Sequence, residues 1–344
     1  MKPLIKLIFA SFFLFSIFTS AQSFDSAVEY IEFIGKEQET VTKNTWKYTK
    51  AVAHSKSDKS ITKKRQLLIK TVERTIAKIE KANGFDGEIH KNNVLKHMRL
   101  NESLLKEEYA DIIDMKAVAE QSYDLMEAYI LAQELADEKM TESQLEYEKN
   151  FHAYAEKHKI SIVESENDLG KKMAISNKVF DHTNTLYLIF FKVYINEIYL
   201  WEAVEKSDVS GIQQNANALN QAAKDGLEIL KTVKPYKTDK SLSLSYKAAF
   251  EFFITESEKQ IPVIADFLIL KEDFETIKNT IEKTPENKRT KPQVDAYNKK
   301  IKDINKAGNT YNKVNTTLNN NRQKILLKVE ESKSKFLSRH VPKD

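Results

Sequence analysis

Cysteine is absent from this chain of 344 residues. Its absence excludes disulfide bridges, zinc sites built from thiolates and lipid attachment at a signal-peptide cysteine. A net charge of only +4 argues against a dedicated nucleic-acid-binding protein, because such proteins carry a strong basic excess. If the protein is exported, it depends for stability on the packing of its own core.

Glycine and proline are also scarce, with seven and six residues respectively. So few turn-forming residues favour long helices over many short strands, particularly where Lys, Glu, Ala, Leu and Ile are abundant. We therefore predict an all-α fold, an elongated bundle of about eight long antiparallel helices. Apolar periodicity, caps and breaks place these helices near residues 24–54, 58–83, 88–114, 115–159, 167–206, 209–233, 241–283 (with a kink at Pro262) and 292–339.

The last predicted helix, 292–339, has the clearest pattern. Apolar residues recur in steps of three and four and form a heptad seam, with Asn315 and Arg322 as polar interruptions. At about 1.5 Å per residue, this helix would be roughly 70 Å long. The seam comprises Tyr297, Ile301, Ile304, Gly308, Tyr311, Asn315, Leu318, Arg322, Ile325, Val329, Ser332 and Phe336.

The N-terminus has the pattern of a signal peptide. Lys2 and Lys6 precede an apolar run over 7–18, and small residues lead to a cleavage site after Ala21. The run is shorter than the roughly 20 residues of a membrane-spanning helix. We expect residues 1–21 to be removed and the mature protein not to span the membrane; a retained N-terminal anchor is the alternative.

One other segment, 186–201, is strongly apolar and carries six aromatic rings. A bilayer-spanning role is disfavoured, because Lys192 and Glu197 would each cost about 2.5–3.5 kcal/mol at the centre of a membrane. A helix that is apolar almost all round is usually buried among other helices. The alternative is a ligand pocket lined by Phe190, Tyr194 and Trp201, with Trp46 as the matching ring of the first half.

The two halves of the chain resemble each other. Lys56-Ser57-Asp58 recurs at 206–208, Trp46 matches Trp201, and the run from Tyr154 to His158 matches the run from Phe336 to His340. These matches predict two tandem four-helix repeats, 22–160 and 161–344. The alternative is a chance similarity between two helical patterns.

No pattern in the sequence indicates catalysis or a cofactor. His90 and His97 would share a helix face, but no Glu-x-x-His pair or His-Glu-x-x-His motif accompanies them. We therefore interpret the histidines as solvated surface residues and predict no metal site. The carboxylates of Glu120, Asp124 and Glu127 share one face and are expected to be solvated, so an enzyme is not predicted.

Charge and asparagine are unevenly distributed. Residues 102–166 hold 17 acidic and 6 basic side chains, whereas residues 283–344 hold 16 basic and 6 acidic ones. Opposite charges on the two segments have three interpretations: attraction between the two halves of the chain, orientation of the protein toward a charged partner, or solvated helix faces. Asparagine is a poor helix former, yet it recurs every seven residues beside the heptad seam. This spacing suggests contact with a glycan or a partner helix; the alternative is a neutral, solvated face. These residues are Asn298, Asn305, Asn312 and Asn319.

Several stretches resemble a family of exported bacterial surface proteins known from leptospires and Bacteroidetes, for which no function is established. The resemblance covers most of the mature chain and implies secretion and a helical fold, but it supplies no catalytic residues. The stretches are Asn44–Thr49, Ala51–His54, Ala119–Tyr129, Tyr187–Lys192, Val294–Lys299 and Arg339–Pro342.

Together these patterns predict an exported, non-enzymatic helical protein that acts by binding or scaffolding at the bacterial cell envelope. The periplasm is the first expected location, and the cell surface or the medium are alternatives. The expected partner is an envelope protein or a glycan. The alternative function is a carrier of a small apolar or amphipathic ligand in an aromatic pocket near Phe190 and Trp201.

Overall fold

A computed structural model describes residues 22–55, 57–108, 118–162 and 168–343, and these contain helices but no strand, as predicted. The predicted signal peptide and the predicted break near Asp114 lie outside the described residues. The helices are α1 (Ala27–His54), α2 (Asp58–Lys81), α3 (Ile89–Ser103), α4 (Tyr123–Lys157), α5 (Asp168–Glu205), α6 (Val209–Thr232), α7 (Ser241–Thr255), α8 (Ile261–Lys283) and α9 (Lys291–His340).

Side-chain caps explain several of the helix boundaries. Ser57 begins α2 by accepting a hydrogen bond from the Ser60 backbone, and Asp208 begins α6 in the same way with Gly211. Thr290 and Gln293 form a reciprocal capping box at the start of α9, where Pro292 needs no donor. These caps satisfy backbone groups that a helix end leaves unpaired.

A π-helical turn, Glu256–Gln260, connects α7 directly to α8, so the two helices form one continuous path. Pro262 follows in the first turn of α8. Proline removes one helical hydrogen bond and crowds the carbonyl of the preceding turn, and the wider π turn relieves that conflict. The predicted disturbance at Pro262 therefore takes the form of this turn.

The largest core lies in the second half of the chain and joins α5, α6, α7, α8 and α9, with Trp46 and Ala53 contributed by α1. A second core joins α1, α2 and α3 with Tyr154 of α4. Segment 186–201 lies inside α5, and Phe190, Phe191 and Leu200 are buried, whereas Lys192 is exposed. The buried-helix prediction is thus confirmed, and no helix in the described residues is long and apolar enough to cross a membrane.

Helix α9 has 50 residues, and at about 1.5 Å per residue it is roughly 75 Å long. Every residue of the predicted heptad seam is buried or half-buried. Between Ala265 of α8 and Leu318 of α9, however, Ile281 is the one buried side chain among these described residues. We call this two-helix extension the arm; Phe267 stacks on Tyr311 at 4.4 Å and Phe274 on Tyr297 at 5.9 Å between ring centroids.

Two details of the first half recur in the second. Helix α3 spans 15 residues and runs into a five-residue π turn, Leu104–Glu108, just as the 15 residues of α7 run into Glu256–Gln260. Each π turn therefore follows a helix of the same length.

The second detail is an ion-paired corner where the end of α4 or α9 meets a loop. Asp86 pairs with Lys157 and lies 3.3 Å from Nε2 of His158. In the same manner, Asp239 pairs with Arg339 and lies 2.8 Å from Nε2 of His340. Rings complete both corners, since Phe85 contacts His158 at 5.6 Å and Tyr236 contacts His340 at 5.1 Å.

Candidate functional site

Helix α5 carries a fully buried charged residue, Glu197, on the face that packs into the bundle. Trp201 lies one turn further along the same face, because residues four apart are neighbours on a helix surface. Trp201 is half-buried, and its ring reaches the boundary between core and solvent. A carboxylate in this position needs a partner, because an unpaired buried charge is strongly unfavourable.

Arg322 of α9 is that partner. Its Nε donates to Oε1 of Glu197, and its guanidinium carbon lies 4.0 Å from the centroid of the Trp201 ring. Its Nη1 also donates to Oδ1 of Asn319 at 3.3 Å, and Nδ2 of Asn319 donates to Oδ1 of Asn315 at 3.1 Å. The guanidinium is therefore held on one edge by a carboxylate, on its face by an indole and on another edge by an amide.

Glu256 completes the cluster from the first position of the π turn, where it too is fully buried. Its Oε1 accepts a hydrogen bond from Nε1 of Trp201 at 2.9 Å and lies 3.7 Å from Nε of Arg322. The second oxygens of Glu197 and Glu256 are buried and have no hydrogen-bond partner among the described residues. We call these four residues, Glu197, Trp201, Glu256 and Arg322, the charged cluster.

The charged cluster contains two carboxyl groups and one guanidinium. Burial raises the pKa of Glu197, although Arg322 opposes the shift. Burial, and after it the neighbouring charge of Glu197, raises the pKa of Glu256 to about 8, against the opposing effects of Trp201 and Arg322. At neutral pH, Glu256 is therefore mostly protonated, and it adds little negative charge beside Glu197 and Arg322.

A groove of about 540 Å³ opens beside the charged cluster, between α5, α8 and α9 at the base of the arm. We call it the Trp201 groove. Aromatic rings, amides and the guanidinium line it: Trp201, Phe267, Tyr311, Asn315, Asn319 and Arg322.

A second groove, of about 670 Å³, lies between α5 and α6 and has a more apolar lining. Lys192, Asn196 and Asp225 add polar groups to it. We call it the α5–α6 groove; its apolar lining includes Leu188, Ile189, Val193, Ala222 and Ile229.

The structure places the four predicted aromatic site residues in different surroundings. Phe190 is buried and stacks on Tyr246 at 4.8 Å and on Tyr194 at 5.4 Å, and it lines neither groove. Trp46 is buried in the same core, and Tyr194 is half-buried. Trp201 lines the Trp201 groove, so it is the one of the four that faces either groove.

The asparagine ladder also separates into two parts. Asn319 lines the Trp201 groove and bonds to Arg322 and Asn315. Asn298, Asn305 and Asn312 are exposed along the arm and line neither groove.

The prediction that the paired histidines are solvated is wrong. His90 is buried and stacks on Tyr154 at 4.3 Å, and His97 is buried and stacks on Tyr147 at 5.3 Å. Burial lowers the pKa of His90 to about 4, so this ring is neutral at physiological pH. Glu120, Asp124 and Glu127 are exposed as predicted, and the described residues contain no cluster of three or more potential metal ligands.

The buried positions of Glu197 and Glu256 and the role of Arg322 were not predicted from the sequence. A sequence signal exists for Glu197 and Arg322, because each is a charged residue on an otherwise apolar helix face. Glu256 has no such signal apart from its nearness to Pro262, since its burial depends on the π turn.

Comparison with known proteins finds no matching family model, curated protein or solved structure. The resemblance to exported bacterial surface proteins therefore stays a prediction.

Proposed function

We propose that the protein is an exported, non-enzymatic binding protein of the bacterial cell envelope and that the Trp201 groove is its ligand site. The charged cluster carries this proposal. Burying charged groups requires desolvation, and each polar atom left unpaired costs roughly 1–3 kcal/mol. Stability alone therefore does not explain a cluster with two such atoms, and the cluster lies beside an open groove.

We also infer that α1–α4 and α5–α9 are tandem repeats, because the π turns and the ion-paired corners recur in the same order. The π turns align Leu104 with Glu256, since each is the first residue of its turn. The corners align Lys157 with Arg339, and counting back equally along α4 and α9 aligns Met140 with Arg322. The same offset aligns Tyr129 with Tyr311.

The position of the charged cluster is apolar in the first repeat. Leu104 is fully buried with Ala136, and Met140 and Tyr129 pack against them. The fold is therefore compatible with apolar side chains at this position, whereas the second repeat has a glutamate and an arginine there. The ion-paired corners and the π turns occur in both repeats and serve the fold. The charged cluster occurs in the second repeat and serves binding.

The distribution of groups around the groove favours binding over catalysis. The carboxyls of Glu197 and Glu256 contact Arg322 and Trp201 and do not line the groove. The groups that line it are mainly rings, amides and a guanidinium, which position a ligand by stacking and hydrogen bonding. Export is supported by the predicted signal peptide and by the family resemblance.

Native mass spectrometry of the protein isolated from the periplasm of its own bacterium tests this proposal. We expect a bound small molecule that is retained by Tyr297→Ala and lost from Tyr311→Ala. Both substitutions remove a ring that stacks across the arm, but only Tyr311 lines the groove. Absence of any bound molecule, equal occupancy in both variants, or recovery of the protein from the cytoplasm with an uncleaved N-terminus would contradict the proposal.

The α5–α6 groove favours a second candidate function, a carrier of an apolar or amphipathic molecule. Its lining is mostly apolar, and Ile229 at this groove is 42% exposed. A co-purifying lipid that is lost from Ile229→Asp but retained by Tyr311→Ala would support the carrier. A lipid that is retained by Ile229→Asp but lost from Tyr311→Ala would reject the carrier function and favour the Trp201 groove.

A further inference from the structure

Arg322, Asn319 and Asn315 form a hydrogen-bond chain with a fixed direction. A guanidinium only donates, so the atom of Asn319 that Arg322 contacts is its amide oxygen. The Asn319 amide nitrogen must then face Asn315, whose amide oxygen accepts. The chain therefore ends in the NH₂ group of Asn315, a donor on a residue that lines the groove.

Further donors line the same groove. Glu197 holds Nε of Arg322 and Asn319 holds Nη1, which leaves Nη2 for a ligand. Lys271 is exposed at the groove and forms no ion pair or hydrogen bond among the described residues. The carboxyls of Glu197 and Glu256 lie behind the guanidinium, and the carboxylate that lines the groove, Glu205, is exposed at its edge.

Three aromatic side chains, Trp201, Phe267 and Tyr311, accompany these donors. Flat rings pack against apolar ring faces, whereas guanidinium, ammonium and amide donors bind carboxylate oxygens most strongly. The basic excess of residues 283–344, which include all of α9, adds an attractive field for an anion. A ligand that satisfies all three features combines a ring, several acceptor oxygens and a negative charge.

We propose that the Trp201 groove binds an anionic sugar, a pyranose ring that carries a carboxylate, as in the uronic acid units of polysaccharides. The carboxylate meets Asn315, Arg322 and Lys271, and the carbon face of the ring packs on Tyr311 and Phe267. This inference rests on the proposed binding function and adds the class of ligand.

Calorimetric titration with tetragalacturonic acid and with its methyl ester tests the ligand class. The acid is expected to bind about tenfold or more tightly than the ester, and its affinity is expected to fall with added salt. Equal binding of the ester, or no binding of the acid while a native ligand still co-purifies, would overturn the anionic-sugar proposal and leave the binding function standing. Absence of any native ligand would instead count against the binding function itself.

Two asparagine variants test the hydrogen-bond chain. Asn315→Asp replaces the terminal NH₂ with an acceptor and should weaken binding of the acid about tenfold. Asn312→Asp adds the same charge to the exposed face of α9, outside the groove, and should leave affinity unchanged. Circular dichroism checks that both variants fold.

Equal losses in the two asparagine variants would show a nonspecific charge effect and overturn the proposal, as would no loss in Asn315→Asp. If Asn315→Asp fails to fold, Lys271→Met is decisive, because Lys271 is exposed. This variant is expected to weaken binding of the acid and not of the ester, and unchanged binding of the acid would overturn the proposal.

Discussion

The guanidinium carbon of Arg322 lies 4.0 Å from the centroid of the Trp201 ring, and this contact connects α9 to α5 beside a groove. The indole supplies a cation–π contact while its own Nε1 donates to Glu256. Since Arg322 also bonds to Glu197 and Asn319, one side chain fixes both the buried carboxylate and the amides of the groove.

Arg322→Met is expected to destabilise the protein by about 3–5 kcal/mol, because it leaves the buried carboxyl of Glu197 without its guanidinium partner. Adding Glu197→Gln to this variant should recover part of the loss. Urea unfolding followed by circular dichroism measures both effects. Lys335→Met, which breaks an exposed ion pair with Glu331, serves as the control and should leave the free energy of unfolding unchanged. An Arg322→Met protein as stable as the control would refute this account of the charged cluster.

Glu256→Gln should make the stability of the protein less sensitive to a rise in pH between about 5 and 8. The folded-state pKa of Glu256 is raised from 4.5 to about 8, so its stabilising effect is complete below pH 4.5 and declines as the pH rises to about 8. The slope from one such group is at most about 1.4 kcal/mol per pH unit. The variant keeps an acceptor for Trp201 but cannot ionise, so its advantage over the parent should grow between pH 5 and about 8. Parallel stability curves for both proteins would contradict this expectation.

His90→Phe tests the opposite end of the pH range. The folded-state pKa of His90 is lowered from 6.5 to about 4, so the folded protein loses stability as the pH falls through this interval. Phenylalanine preserves a ring for Tyr154 and removes the titration. We expect the melting temperature of the variant to fall less than that of the parent between pH 7 and pH 4.5. His152→Phe, at an exposed position, should follow the parent.

Two glycine-to-alanine substitutions should have opposite effects. At Gly226 in α6, an added Cβ would lie 2.8 Å from Cε2 of Phe250 and 2.9 Å from Cγ2 of Val193, and such overpacking costs about 1–3 kcal/mol. At Gly35 in α1, nothing lies within 4 Å, and alanine should stabilise the helix by about 0.5–1 kcal/mol. Chemical denaturation of the two variants distinguishes these signs, and destabilisation by Gly35→Ala would invalidate the comparison.

The helices could be predicted from the sequence because their evidence is local. Caps such as Ser57 and Asp208 act within a few residues of their own helix. The predicted seam from Tyr297 to Phe336 lies within α9, and the structure buries or half-buries every member of it. The buried position of 186–201 followed from composition in the same way.

The site could not be predicted in this way, because it depends on pairing between distant segments. Glu197 and Arg322 are 125 residues apart, and Trp201 and Glu256 are 55 apart. Phe190 and Trp201 belong to the same aromatic run, yet Phe190 stacks on Tyr246 inside the core while Trp201 faces the groove. Composition cannot separate these two rings, since the packing of neighbouring helices decides which of them remains accessible.

The position of the Trp201 groove at the base of the arm has a mechanical consequence. From Leu318 back to Lys291, α9 is about 40 Å long at 1.5 Å per residue, so a tilt of about 10° at the base would displace the tip by about 7 Å. A small rotation that narrows the groove would therefore displace the exposed asparagines near the tip of the arm by several ångströms. Conversely, a force applied at the tip would be transmitted along α9 to Tyr311 and its neighbours in the groove.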